Sequence, residues 1–105
     1  MADYVTIRRW SLKDGFEEAQ LEDLVRTGII PAYKQQPGCL RLELLRVRDP
    51  VSYMAITRWE SRAAYDRWAG DEGQAWRDSY RDTLARWLEM MIFQEEWETD
   101  SVVSA

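Results

Sequence analysis

One stretch constrains the fold of this chain more than any other: Trp59-Glu60-Ser61-Arg62-Ala63-Ala64-Tyr65. An alternating segment, Ser52 to Glu60, runs into it, so the stretch reads as a β-strand that ends on a tryptophan and turns sharply into a helix. Ser61 is placed to cap the free amides of that helix. Trp59 and Tyr65 stand on either side of the turn. Large amphipathic side chains gathered at such a junction suit the mouth of an apolar pocket.

The rest of the chain supplies partners for that junction. Tyr4 to Leu12 alternates, with Val5 and Ile7 on one face and Tyr4, Thr6, Arg8 and Trp10 on the other. Lys13-Asp14-Gly15 breaks this strand, and Asp14 is placed to cap a helix whose apolar stripe runs Phe16, Ala19, Leu24, Gly28 and Ile29. Pro31 should kink or end that helix, and Pro37-Gly38 closes the loop after it. Cys39 to Arg48 is a second strand, with Leu40, Leu42 and Leu44 on one face and Arg41, Glu43, Leu45 and Val47 on the other. Asp49-Pro50 marks a turn, and the spacing predicts a hairpin with the strand that follows. That strand sets Tyr53, Ala55, Thr57 and Trp59 against Met54, Ile56, Arg58 and Glu60.

A short helix from about Arg62 to Ala69 ends at Gly70. Asp71 and Gln74 resemble a capping box for a further helical run from Glu72 to about Trp87. Its apolar stripe is Trp76, Tyr80, Leu84 and Trp87, with Arg77 and Arg81 on a neighbouring face. Met90 to Glu98 is the last strand, and Thr99 to Ala105 reads as a loose tail. The order is therefore β-α-β-β-α-β with the second helix broken in two. This is the α+β ferredoxin-like arrangement, an antiparallel four-stranded sheet with helices on one face. It forms a single domain over residues 1–105, with its core at about residues 3–98.

Composition narrows the function. The chain has no histidine, so it builds no Ser-His-Asp triad, histidine zinc site or histidine-ligated haem. Apolar residues make up 46 %, six of them tryptophan, enough for a core rather than a disordered chain. A net charge of −5 argues against nucleic acid or an anionic membrane as partner. Twelve of the fourteen basic residues are arginines, which fits anion recognition, interface pairing or simply solvated rim charges. Cys39 stands alone after Pro37-Gly38 and reads as a small strand-start hydrophobe, not a nucleophile. No signal-peptide pattern and no transmembrane-length apolar run is visible, so the expected location is cytoplasmic.

Helices in this topology cover one side of the sheet, yet both sides carry apolar groups. Leu40, Leu42, Leu44, Met91 and Phe93 share one register, and Leu45, Val47, Met54, Ile56 and Ile92 fall in registers that include the other. A bare apolar sheet of that size calls for a covering surface, and a two-fold homodimer packed sheet to sheet provides it. The alternative is that interleaved arginines and glutamates keep the face wet.

Tyr33-Lys34-Gln35-Gln36-Pro37-Gly38-Cys39, the Leu-rich strand, and Arg58-Trp59-Glu60-Ser61 leading to Ala64-Tyr65 resemble the antibiotic biosynthesis monooxygenase domain family. The resemblance covers roughly residues 3 to 98. It implies a dimeric α+β barrel, in a family that includes cofactor-independent oxygenases of aromatic polyketides and haem-degrading enzymes. By analogy with the former, Trp59 and Tyr65 match pocket residues and Arg77 or Arg81 stands in for a pocket arginine. A family asparagine four residues before the tryptophan is replaced by Ala55, which removes a donor. By analogy with the haem-degrading branch, Trp68 matches, but the first-strand asparagine falls near Arg8 and the histidine ligand near Arg77 or Asp78. Haem degradation is therefore disfavoured.

The resemblance thus implies a catalytic set of Trp59, Tyr65, Arg77 and Arg81, with Trp68, Trp76, Ala55 and Tyr53 binding a small aromatic or quinoid ligand. No cofactor and no metal are expected. A cofactor-free oxygenase needs a substrate that supplies its own electrons, and a protein that helps remove a proton and stabilises the oxyanion. For the base, Asp78 or Glu60 is conceivable if burial raises its pKa. A non-catalytic binding module and a polyketide cyclase-like protein are the competing readings.

Overall fold

The computed structural model describes residues 3–104. Its elements are β1 (Tyr4–Leu12), α1 (Glu18–Leu24), a π-helical turn (Val25–Ile29), α2 (Ile30–Lys34), β2 (Cys39–Arg48) and β3 (Val51–Trp59). After these come α3 (Arg62–Ala69), a 3-10 turn (Asp71–Gly73), α4 (Gln74–Ser79), α5 (Arg81–Met90) and β4 (Met91–Asp100). All neighbouring strands are antiparallel, in the order β2-β3-β1-β4. The chain has the α+β ferredoxin-like fold that its alternation of periods predicts.

Strand register decides which side chains meet the helices. Arg8 lies directly opposite Ala55 on β3 and Glu96 on β4, and Trp10 lies opposite Tyr53 and Phe93. This face carries Tyr4, Trp10, Tyr53, Trp59 and Met91, and helical Leu21, Val25, Ile29 and Met90 pack against it. Burying those apolar surfaces is the main stabilising term. On the far face, Leu45 (42 % exposed), Ile92 (46 %) and Trp97 (38 %) remain open. Ion pairs Arg9–Glu95, Arg41–Glu43 and Arg58–Asp3 interleave them.

Several boundaries differ from expectation. Asp14 sits in a turn and does not cap α1; Glu17 does, its N–H donating to Gln20 Oε1 at 2.7 Å. Pro31 does not end the helix. It has no N–H to give and its ring crowds the carbonyl four residues back, and the helix opens into the π turn before it, where Ile30 N–H donates to Val25 O. The run expected from Glu72 to Trp87 is broken at Tyr80 (φ −111°, ψ 22°), and Met90 closes α5 instead of opening β4. β4 also extends to Asp100, so two residues assigned to the tail are strand, and Ser101 N–H donates to Asp3 O at 2.9 Å. The expected tail reaches Ala105, which lies outside the described residues. Leu40 falls at a register shift between Cys39 and Arg41 and is 54 % exposed, unlike Leu42 and Leu44.

The strand-to-helix junction forms as the sequence indicates. Ser61 Oγ accepts from Ala64 N–H at 3.1 Å. Gly38 (φ +87°) lies so close beneath the helix that a Cβ there would meet Ala64 Cβ at 2.6 Å, and Gly38 O accepts from Glu60 N–H at 2.9 Å. The Pro37-Gly38 turn therefore clamps the start of α3. Among the described residues no helix is long and apolar enough to cross a membrane.

Candidate functional site

A cavity of about 60 Å3 lies between the sheet and the helices. Arg8 and Trp10 of β1, Leu42 and Leu44 of β2, and Ala55 and Thr57 of β3 form its floor. The π turn (Val25, Ile29), Tyr33 of α2, and Leu84 and Trp87 of α5 form its roof. The wall is mainly aliphatic and aromatic, which follows from its position in the main hydrophobic cluster. Glu43 borders the edge of the cavity, but by strand register its side chain belongs to the far face, where Arg41 engages the carboxylate at 2.9 Å.

Arg8 is the cationic side chain of this wall, and 28 % of it is exposed. Its Nε and Nη2 donate to Glu96 Oε1 at 3.2 and 3.1 Å, and Nη2 also donates to Tyr65 Oη at 3.2 Å. Burial works against the Arg8 charge, but Glu96, Tyr65 and Tyr33 outweigh it and hold the guanidinium protonated. Burial likewise pushes the Tyr33 hydroxyl up to about 12, although Arg8 pulls the other way. Tyr65 moves in the same direction for the same first reason. Burial also raises the Cys39 thiol, which keeps it a weak nucleophile.

Beside the cavity lies a second layer made almost wholly of rings. Trp59 is 1 % exposed and stacks within 5.4 to 5.7 Å of Trp68 and Tyr65. Tyr33 joins the two layers, since it lines the cavity and lies 5.6 Å from Trp68 and 5.1 Å from Trp76. Trp76 Nε1 donates to Ala32 O at 2.8 Å. The indole N–H groups of Trp59 and Trp68 have no partner among the described residues.

The residues singled out from sequence therefore separate. Ala55 lines the cavity, and Tyr53 is buried one inward-facing step before it on β3. Trp59, Tyr65, Trp68 and Trp76 come together, but in the ring layer and not on the cavity wall. Arg77 points away from the cavity. Its guanidinium donates to Trp68 O, to Gly70 O at 2.9 Å and to Gln74 Oε1 at 3.3 Å, tying α3 to α4. Arg81 is exposed at the α4–α5 break, beside Asp78, Tyr80 and Asp82. Asp78 and Glu60 are both exposed, and Asp78 accepts from Gln74 at 2.8 Å.

Of the described residues that line the cavity only Ala55 was expected from sequence as a site residue; among those missed are Arg8, Trp10, Tyr33 and Trp87. For Arg8 the signal was visible, because it shares a strand face with Tyr4, Thr6 and Trp10, where a solvated charge does not belong. No group of three or more Cys, Asp or Glu side chains among the described residues is placed to hold a metal ion.

Chemically, the arrangement offers a largely apolar chamber with one guanidinium and one phenol on its wall. The profile of the antibiotic biosynthesis monooxygenase family matches residues 3–79. Among solved structures, SnoaB, a cofactor-independent oxygenase from Streptomyces nogalater, is similar at 19 % identity, with 99 % of this chain and 97 % of that one covered and a TM-score of 0.74. HapK from Hahella chejuensis is similar at 18 % identity, with 97 % and 95 % covered and a TM-score of 0.75. No curated protein matches the sequence.

Proposed function

This chain belongs to the antibiotic biosynthesis monooxygenase family, and from that premise we propose that it is a cofactor-independent, monooxygenase-like protein of the cytoplasm. In this reading it acts as a homodimer on a small aromatic or quinoid molecule. The observation that carries the proposal is the largely apolar cavity between sheet and helices, floored by Ala55 and roofed by Tyr33 and Trp87. The similarity to SnoaB supports the same reaction class. An anthrone or hydroquinone supplies its own electrons. In the anthrone case a CH2 group becomes a carbonyl, one atom of dioxygen entering the product and the other leaving as water. The protein's part is to strip water from the electron-rich anion and hold it where dioxygen reaches it.

The test is dioxygen uptake by the wild-type protein with an anthrone and with a monocyclic hydroquinone. Consumption above autoxidation with the hydroquinone, one dioxygen per molecule converted to hydroxyquinone and water, is the expected result. Binding without uptake would sink the oxygenase reading. It would favour the second one, a binding module without turnover, which Ala55 supports by putting a methyl group and no hydrogen-bond donor on the cavity floor.

A further inference from the structure

We infer that the cavity is an anion site, and that Arg8 selects a monocyclic aromatic anion, a phenolate or a carboxylate, as its occupant. The inference deepens the proposed function and rests on it only for what happens after binding. Three observations converge. First, among the described residues Arg8 is the one cation on a largely apolar wall, and it is 28 % exposed. A guanidinium held there keeps its charge but has lost much of its water, so an anion entering the cavity meets a strengthened charge.

Second, only part of the guanidinium is engaged. Nε and Nη2 face Glu96 and Tyr65, and among the described residues Nη1 makes no hydrogen bond. A planar fork held along one edge offers its remaining N–H groups in a fixed direction, the geometry that suits carboxylate and phenolate oxygens. Third, the residue directly across from Arg8 on β3 is Ala55, whose methyl group leaves room over the guanidinium. The anchor that β3 lacks at Ala55 thus stands one strand away.

Size sets the ring count. The cavity of about 60 Å3 is well below the ~150 Å3 that accommodates benzene. One ring is admitted by small shifts of the Tyr33 and Trp87 side chains. Three fused rings would require the roof helices to move.

Benzoate and its neutral isostere benzamide are suitable probes, read by equilibrium dialysis against the wild-type protein. Benzoate is expected to bind about tenfold or more tighter than benzamide, and Arg8→Met to erase that preference while leaving benzamide within about twofold. Should Arg8→Met fail to fold, Glu96→Gln decides the matter. It keeps an acceptor for Nε and Nη2 but removes the competing charge, so benzoate binding should tighten. Equal binding of the two probes, no benzoate binding at millimolar concentration, or weaker benzoate binding by Glu96→Gln would each overturn the inference. Dioxygen uptake reports separately. Its absence alongside a benzoate preference sinks the oxygenase reading and leaves the anion site standing, and the reverse outcome sinks only the anion site.

Discussion

At the scale of single residues, Tyr33 connects the two layers of the interior, one edge on the cavity and the other against Trp68 and Trp76. Its hydroxyl and that of Tyr53 are both pushed up to about 12 by burial. A phenol in the unfolded chain titrates near 10. The folded state therefore holds these protons more tightly, and the stability this contributes is present in full below about pH 10 and is lost as pH rises through about 12. Urea unfolding between pH 8 and 12 should show a plateau followed by a fall, and Tyr33→Phe should make that fall shallower. An unchanged slope in the variant would remove Tyr33 from the account.

Residue identity was legible where one face of one strand decided it. Tyr4, Thr6, Arg8 and Trp10 could be placed together from the period of two alone, and the structure keeps them on the helix-facing side. What sequence could not show is which inward group borders empty space. Trp59 and Trp87 look alike as apolar positions, yet one is sealed among rings and the other borders the cavity. That outcome depends on packing between helices far apart in sequence.

At the scale of elements, the piece after β3 depends on one side chain. Arg77 reaches back over the 3-10 turn to the carbonyl of Trp68, a group that a helix C-terminus leaves without a backbone partner, and to that of Gly70, which also accepts from Gly73 N–H. The turn beneath is tight: a Cβ on Gly73 would collide with the Trp68 carbonyl. Charged hydrogen bonds of this kind contribute about 1.5–3 kcal/mol each at most, and less at a partly exposed site. Arg77→Ala should lower the unfolding free energy by about 1–3 kcal/mol, as measured by urea titration, with benzoate affinity unchanged. A large loss of ligand binding with intact stability would return Arg77 to the site. The short α3, the Gly70 stop and the capping Ser61 were all readable locally. The break at Tyr80 was not, because Trp76, Tyr80, Leu84 and Trp87 keep one helical period straight across it.

At the scale of the whole molecule, the far face of the sheet is unfinished. Leu45 on β2 and Ile92 and Trp97 on β4 leave large apolar side chains open at both edges of that face. The homodimer proposed above would cover it sheet to sheet. Leu45→Glu places a charge within that contact, on the edge strand β2. Sedimentation equilibrium at micromolar concentration should show a dimer for the wild type and a monomer for the variant. A wild-type protein that sediments as a folded monomer would remove the dimer from the proposal. The fold as a whole was the most legible level, since six segments with clean periods admit few antiparallel arrangements.

The widened helical turn at Val25–Ile29 holds one amino acid more than regular winding would need, and it does so ahead of Tyr33. A surplus of this sort works as slack in the thread. If a single codon were lost around Thr27, the coil could tighten to ordinary pitch and still aim the Tyr33 ring at the chamber. The same loss within Glu18–Leu24 would swing everything downstream by about 100°. A one-residue deletion at Thr27 should therefore fold, and one at Leu21 should not, as circular dichroism of the two variants would read.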